Sequence, residues 1–216
     1  MRVKMRKRFA GLLALAAMVT SCASEPAPTP PAESLCVMRE GSDGEKAVQR
    51  TLRSDRFDTT FYVTTEELVQ RLGEYLSRTR GGTVNTCDYA PRPQQGSKGV
   101  GVRFSWTPPG EPDWGRVPPE EITRYDVNGV RVESTHWLAK LSVACRLSGE
   151  LAEASRKAMF QVELSNLLNS ERREDAEARK RQIELLYILA GRATDALGCE
   201  GDPLEGAPVV KPSPAA

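Results

Sequence analysis

Ile122-Thr-Arg-Tyr-Asp-Val127, Asn128-Gly129, Val130-Arg-Val-Glu-Ser134 reads as two short alternating strands joined by a two-residue turn. Asn-Gly between alternating apolar residues is a strong hairpin signal, because both turn residues must tolerate positive φ. The next segment, His136–Leu147, alternates again, with Trp137, Ala139, Leu141, Val143 and Cys145 on one face. Polar or small residues fill much of the other face, so one side of this sheet is expected to meet a core.

Two further strands are expected upstream, at Thr83–Tyr89 and Gly99–Trp106. In the second, Val100, Val102, Phe104 and Trp106 share a face at period two. A short helix is expected over Asp43–Arg53. Thr64-Thr-Glu-Glu67 has the form of a capping box, and Leu68, Leu72, Tyr75 and Leu76 follow at helical spacing. Gly81-Gly82 would stop that helix. Downstream, residues 150–165 read either as helix or as strand: Leu151–Met159 suits a helix, while Phe160, Val162 and Leu164 alternate as a strand would, and strand is favoured there. Ser170 would cap a long helix whose charged run, Glu171–Arg181, faces solvent with pairs such as Glu177/Arg181. Its apolar stripe is Ile183, Leu186, Tyr187, Ala190, Ala193 and Leu197, and Gly198 would end it. The expected fold is α+β, an antiparallel sheet with helices packed on one face.

The chain has 216 residues, 39% hydrophobic and 27% charged, which is a globular balance. Five of the 30 basic residues lie at Arg2, Lys4, Arg6, Lys7 and Arg8; without them 25 face 29 acidic ones, a net charge of −4. A mildly acidic body argues against a general nucleic-acid partner. The five basic residues precede an apolar run, Phe9–Val19, that is too short for a comfortable span of roughly 20 apolar residues. Residues 1–21 thus read as a secretory signal, 22–33 as a Pro-rich linker, 34–202 as one domain and 203–216 as a disordered Pro- and Ala-rich tail. The domain divides by eye into two similarly ordered stretches, about 34–109 and 120–202.

Cys22 follows Val19-Thr-Ser21. This segment resembles the lipobox of bacterial lipoproteins, which implies lipidation of Cys22 and an anchor on the extracytoplasmic side of the cell membrane. Lipidation would also account for the odd member of the five cysteines. Cys36, Cys87, Cys145 and Cys199 remain, an even set in an oxidising compartment, and two disulfides are expected. Cys36–Cys87 with Cys145–Cys199 is favoured, each pair joining the start of one stretch to its end. The rival is Cys36–Cys199 with Cys87–Cys145. Each favoured link closes roughly 50 residues, worth about 3–4 kcal/mol in chain entropy. The wide spacing does not suit a zinc site, and no metal or cofactor is expected.

The lipobox, the spacer, the excess of Arg over Lys and the two wide Cys pairs together resemble secreted lipoproteins of actinobacteria. Thr86-Cys-Asp-Tyr89, His136–Cys145 and Leu197-Gly-Cys199 are similar to segments of uncharacterised members. The resemblance implies a small α+β sandwich and carries no catalytic residues.

His136 is the single histidine, at the start of a core strand, and no G-x-S-x-G elbow accompanies it. Glu111 with Asp113, and Glu120 with Glu121, are the carboxylate pairs that a hydrolase would use. Trp106-Thr-Pro-Pro-Gly-Glu-Pro-Asp-Trp114 brackets a stiff loop with two Trp residues, and Trp is enriched in recognition surfaces. Trp106, Asp113 and Trp114 are therefore the candidate binding residues. The expectation is a monomeric, non-catalytic binding or accessory lipoprotein facing an envelope protein or cell-wall ligand. An envelope hydrolase using carboxylates and a structural spacer are the alternatives.

Overall fold

The computed structural model describes residues 34–78, 82–93, 98–110, 112–168 and 175–213. The first helix, α1 (Asp43–Leu52), is capped by Ser42, whose hydroxyl accepts from the Glu45 N–H at 3.2 Å. Arg53, in the left-handed conformation, ends it. Strand β1 (Phe57–Phe61) follows, then α2 (Thr65–Ser77). Both hydrogen bonds of the Thr64/Glu67 capping box form, at 3.1 and 2.9 Å. The helix ends at Ser77, before the glycine pair, and Gly81 lies outside the described residues. Strands β2 (Thr83–Pro91) and β3 (Val100–Thr107) come next. A loop and one 3-10 turn lead to β4 (Thr123–Val127), β5 (Val130–Ser134) and β6 (Leu138–Val143). At the β4–β5 turn Asn128 and Gly129 take φ of 53° and 85°, as this tight turn requires.

A 3-10 turn and the short α3 (Ala152–Arg156) precede β7 (Met159–Asn166). Helix α4 (Ala176–Leu197) is longest, and Gly198 at φ 71° terminates it. Its cap is Asp175, not the expected Ser170, which lies outside the described residues; the Asp175 carboxylate accepts from Ala178 N–H at 3.1 Å. Arg181 pairs with Asp175 at 3.5 Å rather than with Glu177. Asp175, at the helix start, already carries the negative charge that the dipole favours there.

All eight strands form one antiparallel sheet in the order β1-β2-β3-β7-β6-β5-β4-β8. The last, β8 (Val210–Pro212), corrects the expectation of a disordered tail from 203. It pairs with β4, Val127 opposite Val210. The pairing holds because Asn128 reaches across to the tail: its Nδ2 donates to the Ala207 carbonyl at 2.9 Å and its Oδ1 accepts from Val209 N–H at 3.1 Å. A Pro-rich composition lowers the entropy lost when such a segment docks.

The helices cover one face. α4 lies over β5, β6 and β7 and against α1, and α2 lies over β2 and β3. Facing rows such as Val102–Leu164–Ala139 and Phe104–Val162–Leu141 form the buried floor. Fully buried Gln182 fixes α4 to the sheet, its Nε2 donating to Ser134 Oγ (2.6 Å) and Thr135 O (2.8 Å). Two disulfides join Cys36 to Cys87 and Cys145 to Cys199. The first ties the segment before α1 to β2, and the second ties the end of α4 to the residues after β6. Among the described residues no helix is long and apolar enough to cross a membrane.

Candidate functional site

The face of the sheet away from the helices is polar, and a row of alternating charge runs straight across it. Arg103 on β3 stands opposite Glu163 on β7, Glu163 opposite Lys140 on β6, Lys140 opposite Glu133 on β5, and Glu133 opposite Arg124 on β4. Arg103 is ion-paired with Glu163, Lys140 reaches Glu163 at 3.2 Å, and Arg124 and Arg131 reach Glu133 at 3.2 and 2.8 Å. Cross-strand pairs of opposite charge favour this register.

The loop after β3 is part of this row. Trp114 Nε1 donates to Glu133 Oε2 at 2.6 Å, and Lys140 Nζ sits 5.0 Å from the Trp114 ring centre. Lys140 Nζ also donates to the Asp113 carbonyl at 2.5 Å. The exposed Asp113 carboxylate accepts from Gly115 N–H at 2.8 Å. Trp106 lies on the other face, buried, its Nε1 donating to the Leu72 carbonyl at 3.0 Å and its ring 5.4 Å from Phe160. The two Trp rings therefore do not form one recognition surface: the alternation of β3 sends Trp106 into the core, and the loop returns Trp114 over the polar row. An edge of Trp106 does line a cleft of about 660 Å³ with Tyr75, Leu76 and Leu151.

Other sequence candidates are dispersed. Asp113, Glu120 and Glu121 are exposed and line none of the clefts described here; Glu111 lies outside the described residues. His136 is half-buried in the bend before β6. Cys22 and the signal-like residues 1–21 also lie outside the described residues. No group of three or more His, Cys, Asp or Glu suited to a metal ion occurs among the described residues.

A different place has the form of a site. Strand β1 stops at Phe61, opposite Cys87, so the first residues of β2 run on without a neighbour on that side. There a cleft of about 520 Å³ opens, lined by Tyr62, Arg71, Asn85, Asp88, Arg103 and Ser165 among others. That size falls in the range of roughly 300–1,000 Å³ usual for ligand pockets. Asp88, Gly101 and Ser165 stand side by side on β2, β3 and β7. A Cβ on Gly101 would come within 2.7 Å of Asp88 Oδ1 and 3.0 Å of Ser165 Oγ. Glycine here leaves room for both polar side chains, and Ser165 Oγ donates to the Gly101 carbonyl at 3.4 Å. Tyr62 leans over the opening, 52% exposed, and its hydroxyl donates to Asp88 Oδ2 at 2.5 Å. That hydrogen bond, then desolvation and the Asp88 charge, raise the phenol above its ordinary pKa. Arg71 is exposed on α2 and has no ion-pair partner among the described residues.

Sequence reading missed this cleft for a definite reason. A bulge between Asn85 and Cys87 shifts the register, so Asn85 and Asp88 reach the same face despite odd spacing. Gly101, a glycine inside an otherwise alternating strand, was the one local signal.

No family model matches the chain, and no curated protein or solved structure matches it either.

Proposed function

We propose that the chain is a non-catalytic binding lipoprotein, anchored through Cys22 on the extracytoplasmic side of the cell membrane, and that its site is the cleft beside Tyr62. One observation carries the binding reading: a cleft of about 520 Å³ is lined by Arg71, Asn85, Asp88 and Ser165 on a sheet tied by two disulfides. Preformed polar groups on strands bind with little ordering cost. The anchor rests on the signal-like run and the lipobox-like register around Cys22.

Two experiments test the two halves. Detergent phase partitioning of cells expressing the full chain should place the wild type in the detergent phase and Cys22→Ser in the aqueous phase. Equal partitioning of the two would overturn the anchor. A fragment library screened by amide chemical shifts should move Asn85, Asp88 and Gly101 together, and Gly101→Ala should abolish those hits. Hits that gather instead around Trp106 and Leu151 would move the site to the other cleft.

A further inference from the structure

Resting on that reading, we infer that the cleft takes a saccharide bearing a carboxylate. The argument starts from the balance of groups. A sugar hydroxyl both donates and accepts, so its site needs donors and acceptors close together. Asp88 offers acceptors, Asn85 an amide with both, and Ser165 a hydroxyl that lies against the Gly101 carbonyl. An apolar ligand would take water from Asn85 and Asp88 and offer no hydrogen bond in return.

The rim adds an aromatic face. Tyr62 is one of the few large hydrophobic side chains left exposed, and its hydroxyl bond to Asp88 holds the ring in place. A ring fixed in this way offers a flat amphipathic surface for the apolar face of a pyranose at little entropic cost. Its partner Asp88 thus has two tasks: Oδ2 holds the ring, and Oδ1 lies over the glycine floor.

Charge sets the third requirement. Arg103 is already ion-paired with Glu163, which it shares with Lys140. Arg71 is the cleft's cation without an ion pair among the described residues. A guanidinium fork matches one carboxylate in bidentate fashion. A phosphate fits less well, because Asp88 on the same floor repels a second negative charge.

Titration calorimetry of the full chain in detergent micelles tests the inference, with trigalacturonate as probe and maltotriose and citrate as controls. Trigalacturonate should bind, and the controls should bind at least tenfold more weakly. Arg71→Ala should weaken trigalacturonate at least tenfold, and Arg71→Lys less, since lysine keeps the charge but loses the fork. Tyr62→Ala should weaken it as well. Arg71 and Tyr62 are exposed, so these variants should fold, and thermal melts check that they do. Maltotriose bound as tightly as trigalacturonate would overturn the carboxylate requirement. Citrate bound as tightly would overturn the sugar. No binding of trigalacturonate, with fragments of another class still shifting Asn85, Asp88 and Gly101, would overturn the inference while leaving the cleft as the site. Silence from both would overturn both.

Discussion

Glu133→Ala is the sharpest test of how the polar face is held. The Glu133 side chain is 3% exposed and accepts from three donors: Trp114 Nε1 at 2.6 Å, Arg131 at 2.8 Å and Arg124 at 3.2 Å. Truncation strands the Trp114 N–H, which is half-buried, at a cost of about 1–2 kcal/mol. The two guanidiniums are 39% and 49% exposed, so water recovers most of what they lose, and together they add about 1 kcal/mol. Lys140 keeps Glu163 and the Asp113 carbonyl but faces an unbalanced row. The expected total is about 3 kcal/mol, at the lower edge of what breaking a buried ion pair costs. Glu133→Gln keeps an acceptor for Trp114 and should cost about half as much. Urea unfolding followed by Trp fluorescence measures this; with a slope of about 2 kcal/mol/M the alanine midpoint should fall by about 1.5 M. The Trp114 indole N–H resonance should move in alanine and stay near its place in glutamine. A loss under about 0.5 kcal/mol, within the range of an ordinary surface change, would refute the reasoning, as would equal losses for both variants.

Other outcomes follow from the same geometry. Asn128→Gly keeps the turn conformation but drops the bonds to Ala207 and Val209, so it should cost about 1–2 kcal/mol and speed carboxypeptidase digestion of the tail. Cys145→Ser with Cys199→Ser opens a link of sequence separation 54, which chain entropy values at about 4 kcal/mol, and calorimetry should show Tm lower by about 10 °C. Burial raises the Tyr89 phenol far above its ordinary range, with its hydroxyl on the Cys36 carbonyl at 3.0 Å. A raised phenol lends stability below its unfolded pKa that is lost as pH rises through the folded one, so ultraviolet titration should show Tyr89 ionising only as the fold is lost, and Tyr89→Phe should remove that step. The bond from Ala178 N–H, helped by Arg53 and Arg181, holds the Asp175 carboxyl below its ordinary pKa. Its contribution is present above the unfolded pKa and fades as pH falls through the folded one, so acid unfolding of Asp175→Asn should depend less steeply on pH.

Local patterns were legible where one interaction decides them. The Asn128-Gly129 turn, the Thr64 capping box and the alternation of Val100 to Trp106 need only neighbours in sequence, and each forms as read. The α+β arrangement follows, because an antiparallel sheet with one apolar face has to be covered from that side. What stayed hidden depends on contacts between distant segments. Trp114 reads as a free aromatic until Glu133 and Lys140 are brought beneath it by strand register. Arg181 has a charge four residues away in Glu177 and another in Asp175, and only the helix start decides between them. The tail looked unstructured by composition, yet one side chain in a turn some 80 residues earlier receives it. The cleft needed the bulge, which no period reveals.

The eighth strand also guards the sheet against its own kind. Edge strands invite pairing with other chains, and charged side chains and proline blunt that tendency. β8 offers solvent Lys211 and Pro212 where β4 would otherwise present Tyr125 to Val127. A chain cut before Val209 would keep its buried core and both cystines, yet bare a flat backbone ladder on β4. Its stability in dilute solution would fall by about 1–2 kcal/mol with the Val209 bond and the β4 pairing. Its shelf life at high concentration would change a great deal, through stacking of molecules edge to edge.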